Sequence, residues 1–147
     1  MKKKLWIGLC LLILMACGKE KKEEVSLIDH YLELKDALVA TDPVLAREAA
    51  KLFIEAGPDE AMKAALQIIA STQEVEKQRK AFEILSLLLY NNVKREGTEV
   101  PLYRQFCPMA FNDKGAFWLA TEPQVNNPYF GDVMLHCGFV QEYIQVQ

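Results

Sequence analysis

The regular spacing of apolar residues between Val25 and Gly97 constrains the fold of this 147-residue chain more than any other feature. In the first stretch, up to Ala40, apolar residues recur at intervals of four, three and four, the spacing of a helix that buries one face. Three further stretches with helical spacing follow, separated by short breaks that contain proline or capping residues. Four helices with short connections predict a mainly α fold, built as a four-helix up-down bundle.

Capping residues set the predicted helix boundaries. Asp42 and Pro43 supply an N-cap and a first-turn proline for the second helix, and Asp59 lies at the start of the third. Ser71 and Glu74 have the spacing of a capping box, which predicts a fourth and longer helix. The predicted inward-facing residues are Leu27, Tyr31, Leu34 and Leu38 in the first helix, Leu45, Ala49, Leu52 and Phe53 in the second, Ala61, Ala65, Ile68 and Ile69 in the third, and Val75, Phe82, Leu85, Leu89 and Val93 in the fourth.

The character of the chain changes after Gly97. Aromatic residues, Gly, Pro and Asn crowd together there, and segments 100–106 and 139–146 are predicted as short strands at most. Large apolar side chains such as Trp118 and Tyr129 favour a tail that packs on the helices. We therefore predict a single domain, residues 26–147, in which an irregular or short-stranded C-terminal cap covers the bundle.

The N-terminus has the layout of a signal peptide. Three lysines follow Met1, and an apolar segment then runs from Leu5 to Met15. This segment is shorter than the roughly 20 residues that a membrane-spanning helix requires. Residues 1–16 are therefore predicted to be cleaved from the mature chain.

The junction Leu14-Met15-Ala16-Cys17 resembles a bacterial lipobox. The resemblance implies that Cys17 is the lipid-modified first residue of a mature lipoprotein, attached to a lipid bilayer by acyl chains, with residues 17–25 as a flexible tether. Gly18 in place of Asp after the cysteine implies transfer to the outer membrane, facing the periplasm, with export to the cell surface as an alternative. An ordinary secreted protein or an uncleaved anchor is the competing interpretation.

Charge and motifs exclude several classes of function. The net charge is only −3, and cationic residues alternate with acidic ones along the helices, so no basic face for nucleic acid is present. The sequence contains no Ser/His/Asp set, no zinc-protease helix and no phosphate-binding loop. We therefore expect neither a nucleic-acid-binding protein nor an enzyme.

Four cysteines divide into two groups. Cys10 would leave with the signal peptide and Cys17 is the predicted lipid site, so Cys107 and Cys137 remain in the predicted domain. In an oxidising envelope compartment two cysteines can form a disulfide, which would staple a loop-rich tail.

Each of the two tail cysteines has a methionine close by. In an extended run Cys107-Pro108-Met109 the first and third residues face the same side, and a tight turn from Met134 to Cys137 would bring its ends together. Thiolate and thioether sulfur are soft donors that select Cu(I) and, by the same softness, Ag(I). Cys107, Met109, Met134 and Cys137 are therefore candidate metal ligands, and His136 could replace a weaker one. Alternatively, the methionines fill gaps among the aromatic side chains.

Segments 106–119, 127–132 and 134–138, together with 31–42 and 81–86 upstream, resemble a known family. It is the uncharacterised domain found alone in bacterial envelope lipoproteins and at the C-terminus of periplasmic adaptor subunits of copper/silver efflux pumps. The resemblance implies that the family's Cys-Pro-Met and Met-x-x-Cys runs supply the ligands, which are Cys107, Met109, Met134 and Cys137 here. Phe139 departs from the family, where a polar residue is usual, without touching these ligands.

Two functions from different classes follow from these observations. The first is an envelope lipoprotein that binds Cu(I) or Ag(I) for carriage, buffering or delivery to a heavy-metal efflux pump or its periplasmic adaptor. The second is a non-catalytic interaction module in which Cys107 and Cys137 form a structural disulfide. A thiol oxidoreductase fits less well because the cysteines do not form a Cys-x-x-Cys motif.

Overall fold

The computed structural model describes residues 26–147, so the predicted signal peptide, the lipid site Cys17 and the tether up to residue 25 lie outside the described residues. This part of the chain is mainly helical, as predicted, and ends in a small antiparallel sheet. No helix in it is long and apolar enough to span a bilayer. The elements in chain order are α1 (Leu27–Val39), α2 (Pro43–Glu55), α3 (Glu60–Ala70), α4 (Val75–Glu96), β1 (Leu102–Cys107), an irregular turn (Ala110–Asp113), β2 (Ala116–Ala120), a 3-10 turn (Gly131–Val133) and β3 (Phe139–Ile144).

The helix caps confirm the second and third predicted starts and correct the fourth. Asp42 accepts hydrogen bonds from two backbone amides at the start of α2, and Asp59 accepts one at the start of α3. The capping box at Ser71 is wrong. Ser71 instead ends α3, where its hydroxyl donates to the Ile68 carbonyl at 2.8 Å, and α4 begins after Glu74, whose side chain makes no cap.

The predicted inward faces of α1 and α4 are largely confirmed. Leu27 and Val75, at the first positions of the two helices, are only partly buried, because a terminal residue is covered from one side alone. The other predicted residues of both helices are buried, namely Tyr31, Leu34, Leu38, Phe82, Leu85, Leu89 and Val93.

The predicted inward faces of α2 and α3 are partly wrong. In α2 the buried residues are Ala46, Ala50 and Phe53, whereas Leu45 and Leu52 are 57% and 51% exposed. Two small alanines let α2 approach its neighbours closely, so the leucines on the adjacent side point to solvent. In α3 the buried residues are Met62, Ala65, Leu66 and Ile69, and the predicted Ala61 and Ile68 are exposed.

The C-terminal sheet has the strand order β2-β1-β3, with both neighbours antiparallel to β1. The strands predicted at 100–106 and 139–146 correspond to β1 and β3. β2 was not predicted, although its residues 116–120 form a short apolar run bounded by Gly115 and Thr121. Phe106 of β1 pairs with Phe117 of β2 on one side and with Phe139 of β3 on the other.

A strained turn joins β1 to β2. Three successive non-glycine residues, Phe111, Asn112 and Asp113, have φ values of 53°, 57° and 62°, in the left-handed region that L-residues avoid. The ring of Phe111 packs edge-on against Tyr129, with centroids 5.2 Å apart. Gly115 follows with φ of 79°, at a point where a side chain would collide with the ring of Phe106. Packing of the tail therefore holds this turn in place.

Tyr31 connects the helices to the sheet. Its buried ring stacks on Phe82 of α4 at 5.0 Å, and its hydroxyl lies 2.7 Å from the hydroxyl oxygen of Ser86. The Tyr31 hydroxyl oxygen also accepts a hydrogen bond from the Leu119 amide of β2 at 3.1 Å. Burial raises the pKa of Tyr31 well above its ordinary value. One side chain of α1 thus fixes the position of both α4 and the sheet.

Candidate functional site

Cys107 and Cys137 meet at one end of the sheet. Cys107 is the last residue of the central strand β1 and is fully buried, and Cys137 lies two residues before β3 and is partly buried. Their sulfur atoms are 3.0 Å apart, and both thiols are free. The pairing of Phe106 with Phe139 brings the two cysteines together, although they are 30 residues apart in the sequence. The structure thus places two of the predicted ligands in contact.

The chain reaches Cys137 through the tight turn that the sequence predicted. The Cys137 amide donates to the Met134 carbonyl at 3.1 Å, which closes a turn over these four residues. Gly138 then passes close to β1, since a Cβ atom there would lie 2.7 Å from the Phe106 carbonyl oxygen. Only glycine permits this approach, which sets Cys137 beside the end of β1.

Asn127 holds this turn in place. Its side chain is fully buried and donates to the Cys137 carbonyl at 2.8 Å. Its amide oxygen accepts from the Tyr129 and Phe130 amides at 2.8 and 3.2 Å, and its backbone amide donates to the Leu135 carbonyl at 2.8 Å. Asn127 was not among the site residues predicted from sequence. The signal available was its place before Pro128, because an asparagine there often bonds to the backbone that follows.

The two methionines occupy less buried positions than Cys107. Strand β1 ends at Cys107, and Met109 has helical backbone angles (φ −88°, ψ −9°), so the extended geometry expected for Cys107-Pro108-Met109 is wrong. The Met109 side chain is 47% exposed. Met134 is partly buried and lies at the start of the turn that ends at Cys137. Along the sequence, Met109 lies two residues after Cys107 and Met134 lies three residues before Cys137.

His136 is an exposed residue whose ring is fixed by the backbone. Its Nδ1 atom lies 2.8 Å from the Val125 carbonyl oxygen. A carbonyl only accepts, so Nδ1 carries the hydrogen and the neutral ring keeps its free lone pair on Nε2. That nitrogen is the atom through which His136 could serve as a ligand.

The Cys137 thiol has a raised proton affinity. The hydrogen bond to Cys107, then burial, then the charge of Cys107 raise the pKa of Cys137 from 9.0 to about 11. The Cys137 thiol is therefore protonated at neutral pH. In this state it is a poor nucleophile, and a metal ion must displace its proton to bind the thiolate.

The raised pKa of Cys137 predicts how the stability of the reduced, metal-free protein depends on pH. Folding favours the protonated thiol of Cys137, which therefore contributes to the free energy of unfolding. This contribution is complete below pH 9 and is lost as pH rises through about 11. Free energies of unfolding, measured with denaturant at several pH values, should therefore diverge above pH 9: the wild type should lose stability relative to Cys137→Ser. Parallel curves over that interval would contradict the assignment.

The described residues therefore form a helical domain with a small C-terminal sheet and a pair of thiols in contact, of which only Cys107 is fully buried. Residues 26–147 contain no group of three or more His, Cys, Asp or Glu placed to hold a metal ion. Over residues 27–99 the chain matches the family described as "Protein of unknown function (DUF3347)". That match spans α1 to α4 and ends before β1, so Cys107 and Cys137 lie outside it. No curated protein and no solved structure matches the chain.

Proposed function

We propose that this protein is an envelope lipoprotein that binds Cu(I) or Ag(I) through the thiolates of Cys107 and Cys137. One observation carries the proposal: two soft donors from distant parts of the chain lie 3.0 Å apart, one of them fully buried. Met109 and Met134 are the additional thioether donors, and His136 is the nitrogen donor that could replace one of them. The bound ion is cargo, which the protein carries, buffers or delivers.

The chemistry of the thiol pair supports a soft and exchangeable cargo. Cu(I) and Ag(I) accept two sulfur ligands readily, whereas Ca²⁺ and Mg²⁺ prefer oxygen ligands. Because Cys137 is protonated at neutral pH, binding releases its proton. Below that pKa the affinity should rise about tenfold per pH unit for each proton released.

The position in the envelope forms part of the same proposal. Lipid attached to Cys17 would hold the domain on the outer membrane, facing the periplasm, with residues 17–25 as the spacer. An up-down arrangement of α1 to α4 would form the scaffold beneath the sheet. A heavy-metal efflux pump or its periplasmic adaptor is the partner that we propose to receive the ion.

A thiol count tests the proposal. In residues 18–147 the only cysteines are Cys107 and Cys137, so alkylation reports on the pair alone. We expect two reactive thiols after reduction and their joint protection by one equivalent of Ag(I). A bond that survives mild reductant, or thiols that alkylate equally fast with and without Ag(I), would contradict a metal site.

The methionines are expected to strengthen binding without supporting the fold. Met109→Leu/Met134→Leu keeps the volume and the apolar character of both side chains, so the free energy of unfolding should change by less than about 1.5 kcal/mol. A Cu(I) competition titration should show weaker binding, because two soft donors are removed. Met62→Leu, a buried residue of α3, is the matched control. Unchanged Cu(I) affinity in the double variant would remove both methionines from the site.

The second candidate is an interaction module stapled by a Cys107–Cys137 disulfide. The same contact between the two sulfur atoms favours it, because a bridge there would join the end of β1 to the segment that leads into β3. A disulfide-bonded protein that binds no metal ion but still binds another envelope protein would support this function.

A further inference from the structure

Helix α2 presents an apolar stripe that no other element of the described chain covers. Leu45, Ala49 and Leu52 lie at positions i, i+4 and i+7, on the side of α2 adjacent to its buried alanines. The two leucines are 57% and 51% exposed. Leucines at such spacing predict a buried face, so their exposure is unusual for a helix of this kind.

The stripe forms one wall of a groove between α1 and α2. The groove has a volume of about 470 Å³, and Ala37 of α1 and the C-cap residue Ala40 form the opposite wall. Alanines on one side and leucines on the other leave a shallow channel along the two helices. From Leu45 to Leu52 the channel is about 10 Å long, or two turns of a helix.

The charges on the rim are all acidic. The lining residues include the carboxylates of Glu33, Asp36 and Glu48 and no cationic side chain. Glu48 already pairs with Lys51 at 2.9 Å and with Arg47 at 3.3 Å, so the α2 rim is largely neutralised.

The α1 rim keeps more of its negative charge. The Asp36 side chain is 70% exposed, and its partner Lys35 is buried and also pairs with Glu122 at 2.9 Å. The Glu33 side chain is 59% exposed and has only a 3.8 Å contact with His30. The acidic edge of the groove is therefore the edge formed by α1.

We propose that this groove binds an amphipathic helix of another protein, with an apolar stripe against α2 and a row of Lys or Arg facing α1. Charge complementarity selects this occupant, because a helix with acidic flanks would meet Glu33 and Asp36 at close range. The groove is formed by α1 and α2 alone, while Cys107 and Cys137 lie at the end of the sheet. The interaction is therefore independent of metal binding.

Two synthetic peptides test the proposal. One is helical, with leucines at i, i+4 and i+7 and lysines along one side of that stripe; its twin carries glutamate in place of each lysine. The labelled peptides are titrated by fluorescence anisotropy with the full chain in zwitterionic lipid nanodiscs, with empty nanodiscs as the blank. We expect the lysine peptide to bind at least about tenfold more tightly than its twin.

Variants of the apolar stripe locate the binding. Leu45→Ser/Leu52→Ser should weaken binding of the lysine peptide about tenfold or more. The control, Ile68→Ser/Ile84→Ser, removes two similarly exposed apolar side chains from α3 and α4 and should leave binding unchanged. Equal losses in both pairs, or no loss in either, would overturn the proposal.

A charge-only variant keeps the test valid should the leucine pair disturb folding. Glu33→Gln/Asp36→Asn should bring the lysine peptide to the affinity of its glutamate twin. The control Glu96→Gln/Glu99→Gln, at and just after the end of α4, should not. Equal binding of both peptides to the wild type would overturn the proposal. So would an absence of binding, including one caused by a second copy of the chain in the groove.

Discussion

Replacement of Asn127 by alanine is expected to destabilise the protein by about 2–4 kcal/mol, because it leaves several buried backbone groups without partners. The Cys137 carbonyl loses a donor, and the Tyr129 and Phe130 amides lose their acceptor. Each of these groups was removed from water when the protein folded. The variant should also bind Cu(I) more weakly, since the same side chain holds Cys137 beside β1.

Asn126 provides the matched control for this experiment. It is the preceding residue of the same type, is partly exposed, and its side chain makes no hydrogen bond within residues 26–147. Denaturant unfolding of Asn126→Ala should stay within about 0.5 kcal/mol of the wild type. Equal stability losses in the two alanine variants would show that the hydrogen bonds of Asn127 do not hold the turn.

Replacement of Arg79 by alanine is expected to cost about 3 kcal/mol of stability, because its guanidinium joins three separate parts of the fold. Arg79 is buried in α4 and donates to the Pro128 carbonyl at 2.9 Å and to the Thr41 hydroxyl at 3.2 Å. It also pairs with Glu76 at 2.8 Å. The end of α1, the start of α4 and the tail before β3 therefore lose a common partner.

Lys80, the next residue along α4, is exposed and provides the control. Lys80→Ala should change the free energy of unfolding by no more than about 0.5 kcal/mol. The Arg79→Ala variant should keep its Cu(I) affinity in native conditions, since Arg79 does not contact the cysteines. A stability loss below about 1 kcal/mol would mean that solvent replaces these hydrogen bonds without penalty.

The helices could be predicted from sequence because their signals are local. Caps such as Asp42 and Asp59 act on backbone amides within three residues, and the stripe of α4 needs only helical periodicity. The inward face of α2 could not be read in this way. Two adjacent stripes are both apolar there, and tertiary packing selects Ala46, Ala50 and Phe53 over the leucines.

The two buried cations, Lys35 and Arg79, were harder to identify from sequence than the helices, but their positions carried a signal. Lys35 lies between Leu34 and Leu38 on the buried face of α1, and Arg79 occupies the equivalent place before Phe82 in α4. A cation on an apolar stripe predicts a specific partner, because burying it unpaired is unfavourable. The partners themselves, Glu122 and the carbonyl before Tyr129, lie too far along the chain to be identified by periodicity.

The two cysteines that meet in the structure were predicted from sequence, whereas the local geometry around them was not. Softness of sulfur and the Met-x-x-Cys turn pointed to Cys107 and Cys137, and the structure brings their sulfur atoms together. The position of Met109 was not predictable. The chain leaves β1 through Pro108 into a left-handed turn that is held by aromatic packing against Tyr129, a contact between distant segments.

The most direct test of the central claim is a Cu(I) titration of reduced residues 18–147 against a competing chelator, alongside Cys107→Ser/Cys137→Ser. The account predicts tight one-to-one binding by the wild type, release of protons on binding, and loss of binding in the double serine variant. Failure of the reduced wild type to compete for Cu(I), or equal binding by the serine variant, would contradict a metal site at the thiol pair.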